Sequence, residues 1–282
     1  MKKLTGAVIQ ARVSSSRFPG KVLKELPYGS GITVLEQVIK RVKRVKGIDV
    51  IVLATTKEQG CRKIIDIAGK CGVKYVQGDT KNVLSRYYKA AKMFSLDRIV
   101  RITSDCPCVD PEIVSSIIKA HEKNHADYTS NSLNGRFPNG VEAEVFNFDV
   151  LEEANARAKK ACDKEHVTSY IYGHPGKFNL IDIKPGKAHH APDIRITLDT
   201  EPDYALLSVV FDHLYNKDPY FNTKDIIDLY RKKPWLGLIN SKVFQKKIFH
   251  SLKEEMKELM RMSKTQDMAR AYRFLKGLSL GK

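Results

Sequence analysis

Through its first half, this chain of 282 residues alternates apolar runs of strand length with amphipathic stretches of helix length. That rhythm marks a mostly parallel sheet, because parallel neighbours need a long connection and a helix supplies it. Ala7–Gln10, Asp49–Ala54, Val73–Val76 and Arg98–Ile102 read as strands. Between them, Val34–Val45 places Leu35, Val38, Ile39 and Val42 on one helical face. Cys61–Cys71 reads as a helix closed by Gly72, and Val83–Phe94 as a third. Pro111 suits the first turn of a helix running to about Lys123. The middle of the chain then changes character. Tyr128–Ser132, Val141–Phe146, Phe178–Ile183 and Asp193–Leu198 read as strands, and Leu151–Cys162, Glu165–Tyr172 and Pro202–Tyr215 as helices. The expectation is an α/β chain with a mixed sheet. Residues 1–240 would form one domain containing a small insertion at about 128–190, and 241–282 a helical extension. In that extension Phe244, Ile248, Leu252 and Met256 recur at four-residue spacing, a stripe suited to packing or to a dimer seam.

The first of these strands breaks into the most informative loop in the chain, Ala11-Arg-Val-Ser-Ser-Ser-Arg-Phe-Pro-Gly-Lys21. In open α/β sheets ligands bind outside the carboxyl ends of strands, where such loops leave the sheet. Arg12, Arg17 and Lys21, interleaved with Ser14, Ser15 and Ser16 and with free backbone N–H groups, form a concavity suited to a polyphosphate. Pro19 fixes the backbone and Gly20 lets it turn. A basic surface turn would share this composition but has no reason to follow a buried strand. The Gly-x-x-x-x-Gly-Lys-Ser/Thr spacing of a P-loop is absent, so P-loop hydrolysis is not implied.

Two carboxylates stand at equivalent places elsewhere. Asp105 follows the strand Arg98–Ile102, and Asp199 ends Arg195-Ile-Thr-Leu-Asp199 just before a helix. Two acids at distant strand ends could share one Mg²⁺, which takes hard oxygen ligands and keeps waters and substrate phosphates for the rest. Each acid alone reads equally well as a strand terminator or a helix start. With the basic loop they point to one site.

The formal charge of +17 calls for a polyanionic partner, either nucleic acid on a broad basic face or a nucleotide in a focused cleft. Much of the excess lies in helix-like stretches such as Lys40–Lys46, where lysines form a solvated face, so net charge does not decide between them. No apolar run approaches the roughly 20 residues of a membrane span. The absence of a signal-like segment and five irregularly spaced cysteines point to free thiols in a cytoplasmic setting. Cys106 and Cys108 lack further ligands at soft-metal spacing and read as small buried thiols.

The loop resembles the Ala-Arg-x-Gly-Ser-x-Arg-x-Pro-x-Lys motif of sugar cytidylyltransferases, with Ser14 where that motif has Gly. This family includes synthetases of CMP-Kdo and CMP-nonulosonates and the spore-coat polysaccharide SpsF-type proteins. Arg101-Ile-Thr-Ser-Asp-Cys-Pro-Cys-Val-Asp-Pro111 and Arg195-Ile-Thr-Leu-Asp-Thr-Glu-Pro-Asp203 are similar to two further family segments. Gly78-Asp-Thr-Lys-Asn-Val-Leu-Ser-Arg-Tyr-Tyr88 and Glu165-His-Val-Thr168 match the SpsF-type proteins. The resemblance runs from residue 7 to about 210. It implies a Rossmann-like nucleotidyltransferase fold, CTP as donor, pyrophosphate as product and a homodimer. It also implies a nucleotide site of Ala11, Arg12, Ser14, Ser15, Arg17, Lys21, Ala54, Thr55, Arg86, Ser104 and Asp105. In this assignment Arg12, Arg17 and Lys21 are the catalytic cations, and Asp105 and Asp199 the Mg²⁺ ligands.

The acceptor, an anionic sugar or a small phosphorylated compound, is expected in the middle region, which faces the strand ends and departs from the βα rhythm. Its candidates are Arg136, Asn139, Glu142, Glu144, Glu165, His166 and Thr168. Alternation in Val141-Glu-Ala-Glu-Val145 puts both glutamates on one strand face, as it would in a plain surface strand. Two other classes compete. A nucleotide-sugar-dependent glycosyltransferase should carry Asp-x-Asp after its donor strand, and Thr103-Ser-Asp-Cys106 is not one. A nucleic-acid-binding protein would explain the charge but not the two carboxylates, so nucleic acid is the weaker expectation.

Overall fold

Thr5–Gln10 forms β1, whose residues alternate between the two faces of the sheet and are buried on both. Ala7 and Ile9 enter one apolar cluster and Val8 the other. The computed structural model describes residues 3–243 and 251–280. The chain divides into two compact units, Met1–Val243 and Phe244–Lys282.

In the first unit β1 is followed by α1 (Val34–Val42), β2 (Val50–Thr56), α2 (Arg62–Lys70), β3 (Lys74–Gly78), α3 (Val83–Met93), β4 (Arg98–Thr103) and α4 (Pro111–Lys123). These elements follow the local signals. Thr33 and Glu36 close a reciprocal capping box on α1. Pro111 stands in the first turn of α4 behind the Asp110 cap. Gly72 ends α2 at φ +62°, with Gly72 N–H donating to Gly69 O and Val73 N–H to Ala68 O.

The remaining elements are β5 (Tyr128–Ser130), β6 (Glu144–Asn147), α5 (Phe148–Arg157), α6 (Ala161–His166), α7 (Ser169–Tyr172), β7 (Leu180–Asp182), α8 (Glu201–Leu214), α9 (Thr223–Lys232) and α10 (Leu236–Ile239). All seven strands join one sheet in the order β3-β2-β1-β4-β6-β5-β7. Only the two pairings of β6, with β4 and with β5, are antiparallel. The middle of the chain therefore extends the main sheet. The chain runs outward from β1 through β2 to β3, then returns to place β4 on the other side of β1. The carboxyl ends of β1 and β4 flank that reversal, which is where an open α/β sheet leaves a crevice.

Four expected elements come out differently. Asp193–Leu198 is not a strand: its one ladder contact is an isolated bridge between Arg195 and Asn139. Its alternating Ile194, Ile196 and Leu198 pack into the core while its backbone pairs with a loop, so it straps the sheet edge instead of extending it. Val141–Phe146 pairs only from Glu144 onward. The helix expected over Glu165–Tyr172 is broken at Val167, held at φ +66° and ψ −57° with Thr168 N–H donating to His166 O across a γ-turn. Helix α5 correspondingly starts at Phe148 and ends at Arg157, short of the expected Cys162.

The second unit is a helical hairpin of α11 (Leu252–Thr265) and α12 (Ala269–Leu280), which pack on each other. Of the expected stripe, Leu252 and Met256 lie on α11, whereas Phe244 and Ile248 lie outside the described residues. Among the described residues no helix is long and apolar enough to cross a membrane. All five cysteines are free thiols. Burial pushes the Cys108 thiol up to about 12, as suits an inert packing residue.

Candidate active site

At the end of β1, Ala11 N–H still donates to Ala54 O, and the chain then leaves the sheet. Gly20 N–H reaches back to Val13 O at 3.0 Å and closes the loop. Inside it Phe18 N–H donates to Ser15 Oγ, and the buried Phe18 ring packs 5.8 Å from that of Tyr204. Gly20 adopts φ +69° with open space where a Cβ would stand, turning the chain into a single 3-10 turn that begins at Lys21. Ser14 needs no glycine-like backbone. The described non-glycine residues at positive φ are Ser95, His125, Val167 and Asp267, and Ser14 Oγ donates to Glu58 Oε2 at 2.7 Å.

Anchored in this way, the loop delivers its cations to both expected carboxylates. Lys21 Nζ donates to Asp105 Oδ2 at 2.6 Å and to Asp199 Oδ1 at 2.9 Å. Arg17 meets the same Asp199 oxygen at 2.9 Å. The two acids are brought together by backbone as well, since Leu198 N–H donates to Asp105 O at 2.8 Å and Thr197 Oγ1 to the same carbonyl at 3.3 Å. Burial lowers the Lys21 pKa, yet Asp105 and Asp199 outweigh it and hold the ammonium above its ordinary value. Burial likewise opposes the charge on Asp199, and Lys21, Arg17 and Arg195 together keep its carboxyl below the usual range.

Behind Asp199 stands a support made of the two ends of the Arg195–Asp203 segment and of Asn240. Arg195 donates Nη2 to Asp199 Oδ2 at 3.0 Å and forks onto Asp203 with Nε and Nη2 at 3.0 and 3.1 Å. Asp203 is fully buried, accepts the Asp199 and Thr200 N–H groups, and closes a capping box with Thr200 on α8. Asn240 Nδ2 donates to Asp203 Oδ1 at 2.9 Å and to Arg195 O at 3.1 Å. Thr200-x-x-Asp203 is a readable capping signal. Asn240 lies 37 residues from Asp203 and carries no local signal.

A second group gathers at the end of β2. Arg86 is buried and donates Nη1 to Ala54 O at 3.0 Å. Gly78 makes room for it, since a Cβ there would lie 2.7 Å from Arg86 Cγ. Arg86 Nε and Thr55 Oγ1 are both buried without hydrogen-bond partners, two unsatisfied polar atoms near the end of β2. Ser104 is buried just past β4, on the other side of β1 from this group, its N–H donating to Gln10 O at 3.2 Å. Arg12 is exposed on the loop, where its charge helps hold the Glu58 carboxyl low behind the larger effect of the Ser14 hydroxyl.

The acceptor candidates divide. Asn139 exchanges backbone hydrogen bonds with Ile194 and Ile196, and its Oδ1 lies 3.4 Å from Arg195 Nη1, so it belongs to the strap beside Asp199. Gly140, which follows it, is essential to that crossing: at φ +116°, a Cβ would sit 2.6 Å from Ile196 C and Thr197 N. Arg136 is half-buried, and its carbonyl accepts Ala191 N–H. Glu144 is buried and committed to Arg101 in a charge pair across β4 and β6. Glu165 is exposed, His166 half-buried and Thr168 buried around the γ-turn of α6 and α7.

Glu142 is half-buried and accepts Gly140 N–H at 2.7 Å. Burial pushes its carboxyl up to about 7, against the pull of the backbone N–H groups and with a further push from the charges of Asp105 and Glu144. Its ordinary value is 4.5, so between about pH 4.5 and 7 the folded chain keeps a proton that the unfolded chain gives up. Stability from this group therefore falls as pH rises through that window. A Glu142→Gln variant should lose less melting temperature than the wild type between pH 5 and 7.5. Parallel melting curves for the two would show that the carboxyl is not shifted.

Among the described residues no group of three or more His, Cys, Asp or Glu side chains could hold a metal ion. Asp105 and Asp199, close enough to share one ammonium, are a two-oxygen donor set of the kind Mg²⁺ completes with water and phosphate.

A mixed sheet of this order, with its cations and acids at the switch point, is the fold of the nucleotidyltransferases. The family model described as cytidylyltransferase matches residues 7–233, and the chain belongs to that family of CTP-dependent enzymes. It is 37% identical over 241 residues to a Methanocaldococcus jannaschii protein of unassigned activity, covering 85% of this chain and 95% of that one. It is 32% identical over 232 residues to the spore coat polysaccharide biosynthesis protein SpsF of Bacillus subtilis, covering 80% and 94%. Among solved structures, a cytidylyltransferase from Leptospira borgpetersenii superposes with a TM-score of 0.77 at 29% identity, covering 88% of this chain and all of that one.

Proposed function

We propose that this cytidylyltransferase transfers CMP from CTP to a sugar acid or a small phosphorylated acceptor, releasing pyrophosphate, to make a precursor of a surface polysaccharide or glycoconjugate. The convergence of Arg17 and Lys21 on Asp105 and Asp199 carries this reading. The similarity to SpsF supports the polysaccharide setting.

Arg12, Arg17 and Lys21 bind the triphosphate and stay with the departing pyrophosphate as charge accumulates on it. Arg86 and Thr55, whose Nε and Oγ1 lack partners near the carboxyl end of β2, would receive the nucleoside. Asn139, in the loop paired with the strap beside Asp199, and Glu142, which follows that loop, orient the acceptor so that its oxygen approaches the α-phosphorus in line with the leaving group. Asp105 and Asp199 would hold Mg²⁺, which when bound neutralises phosphate charge and polarises the phosphoryl group.

Pyrophosphate release with CTP, UTP, GTP and ATP, each against a panel of sugar acids and phosphomonoesters, tests the reading. Release that requires CTP and one acceptor class is expected; none with any pair would overturn it. Arg17 is 38% exposed, so Arg17→Ala should fold normally. It should raise KM for CTP by about tenfold or more, as expected for losing a charged hydrogen bond of about 1.5–3 kcal/mol. Unchanged steady-state kinetics would remove Arg17 from the clamp.

A further inference from the structure

We infer that Lys21 closes the two-carboxylate site to free divalent cations, so that metal enters only together with the nucleotide. The inference rests on the reading that Asp105 and Asp199 hold the metal. It adds a specificity that the reading does not require: the site accepts a metal–nucleotide complex and refuses the bare ion.

The observations are geometric. Lys21 Nζ stands between the acids, 2.6 Å from Asp105 Oδ2 and 2.9 Å from Asp199 Oδ1, where a shared cation would stand. Its side chain is only 12% exposed, so the ammonium is held in the site. Both oxygens of Asp199 are engaged, Oδ1 by Lys21 and Arg17, and Oδ2 by Arg195. The local charges cancel: three carboxylates (Asp105, Asp199, Asp203) face three cations (Arg17, Lys21, Arg195).

A bare Mg²⁺ would have to shed water, displace a paired ammonium and settle among three cations with no net negative charge to draw it. A nucleoside triphosphate changes the balance. Its phosphates give Lys21 and Arg17 new charge-assisted acceptors while bringing the metal with them. The move asks little of the backbone. Lysine carries a compact charge on four flexible carbons, and Lys21 follows Gly20, whose turn has open space around it.

Mn²⁺ is the probe, and equilibrium dialysis of the full chain reads protein-bound metal directly. Without nucleotide, the wild type should bind Mn²⁺ weakly. Lys21→Met and Lys21→Gln should each bind it about ten- to a hundredfold more tightly, the equivalent of a charged hydrogen bond no longer competing. Adding Asp199→Asn to Lys21→Met should abolish the gain. Two replacements guard against one that fails to fold, which thermal melting would reveal.

With CTP present, dialysis also reads bound nucleotide. Wild type should then retain Mn²⁺ with its CTP, and Asp199→Asn should retain CTP with less metal. If both Lys21 variants bind bare Mn²⁺ no better than wild type while this Asp199 dependence holds, the metal site stands and the exclusion by Lys21 falls. If Asp199→Asn retains as much Mn²⁺ with CTP as wild type, the metal reading itself fails and takes this inference with it.

Discussion

Asp199→Asn should lower kcat/KM for CTP by about a hundred- to a thousandfold while moving the melting temperature little. Asp199 accepts from Arg17, Lys21 and Arg195 at once, so the substitution removes the carboxylate on which three cations converge. The amide keeps the volume but not the charge, and a preorganised charge contact in an enclosed site is worth about that factor. Stability is spared because the two enclosed cations keep other partners and Arg17 is 38% exposed to water. Lys21 retains Asp105, and Arg195 retains its fork onto Asp203.

Asp203→Asn, four residues away, is the control. Asp203 is fully buried and holds Arg195, the Asp199 and Thr200 N–H groups and Asn240. Breaking that pair should cost about 3–5 kcal/mol of stability, because it leaves a half-buried guanidinium and the backbone N–H groups around it short of their fully buried carboxylate. Pyrophosphate release and thermal melting on the two variants separate the roles. An Asp199→Asn enzyme that keeps most of its turnover at limiting Mg²⁺ would mean that Asp199 is no ligand.

The difference between these neighbouring acids shows which parts of the fold the sequence makes legible. Asp105 and Asp199 stand out because each ends an apolar run, and the loop Ala11–Lys21 because its cations follow a buried strand. The helix start at Pro111 and the helix stop at Gly72 are likewise local, and local chemistry decided them. What the sequence conceals is pairing at a distance. Ile194, Ile196 and Leu198 alternate as in a strand, yet the backbone around them bonds to Asn139 and Asp105, which no periodicity encodes. Glu142 and Glu144 share a strand-like alternation, but one reaches the Gly140 N–H group and the other the Arg101 guanidinium. The γ-turn at Val167 defies its residue type, since β-branched side chains disfavour positive φ. That side chain is buried in an apolar cluster, and tertiary packing overrides the local preference.

Gly140→Ala should be strongly destabilising. Gly140 sits at φ +116°, where an L side chain is strained, and the added Cβ would meet Ile196 C and Thr197 N at 2.6 Å and Ile196 O at 2.8 Å. Those are backbone atoms of the strap, so no rotamer change relieves the contact. Either the loop at 139–141 or the strap at 194–198 must move. Both are pinned: Asn139 N–H donates to Ile194 O, Ile196 N–H to Asn139 O, and Leu198 N–H to Asp105 O. Backbone strain of this kind costs about 3 kcal/mol, and the lost hydrogen bonds add to it. For a unit of this size that corresponds to a melting temperature lower by roughly 6–12 °C. Turnover should fall as well, because a displaced strap carries Asp199 away from Lys21 and Asp105. Gly20→Ala provides the comparison. It too has positive φ, at +69°, but nothing lies within 4 Å of its added Cβ, so its cost should stay near the roughly 1–2 kcal/mol of a left-handed residue alone. Thermal melts of the two variants check the argument. If Gly140→Ala melts no lower than Gly20→Ala, the close crossing of the loop over the strap is not what holds Asp199 in place.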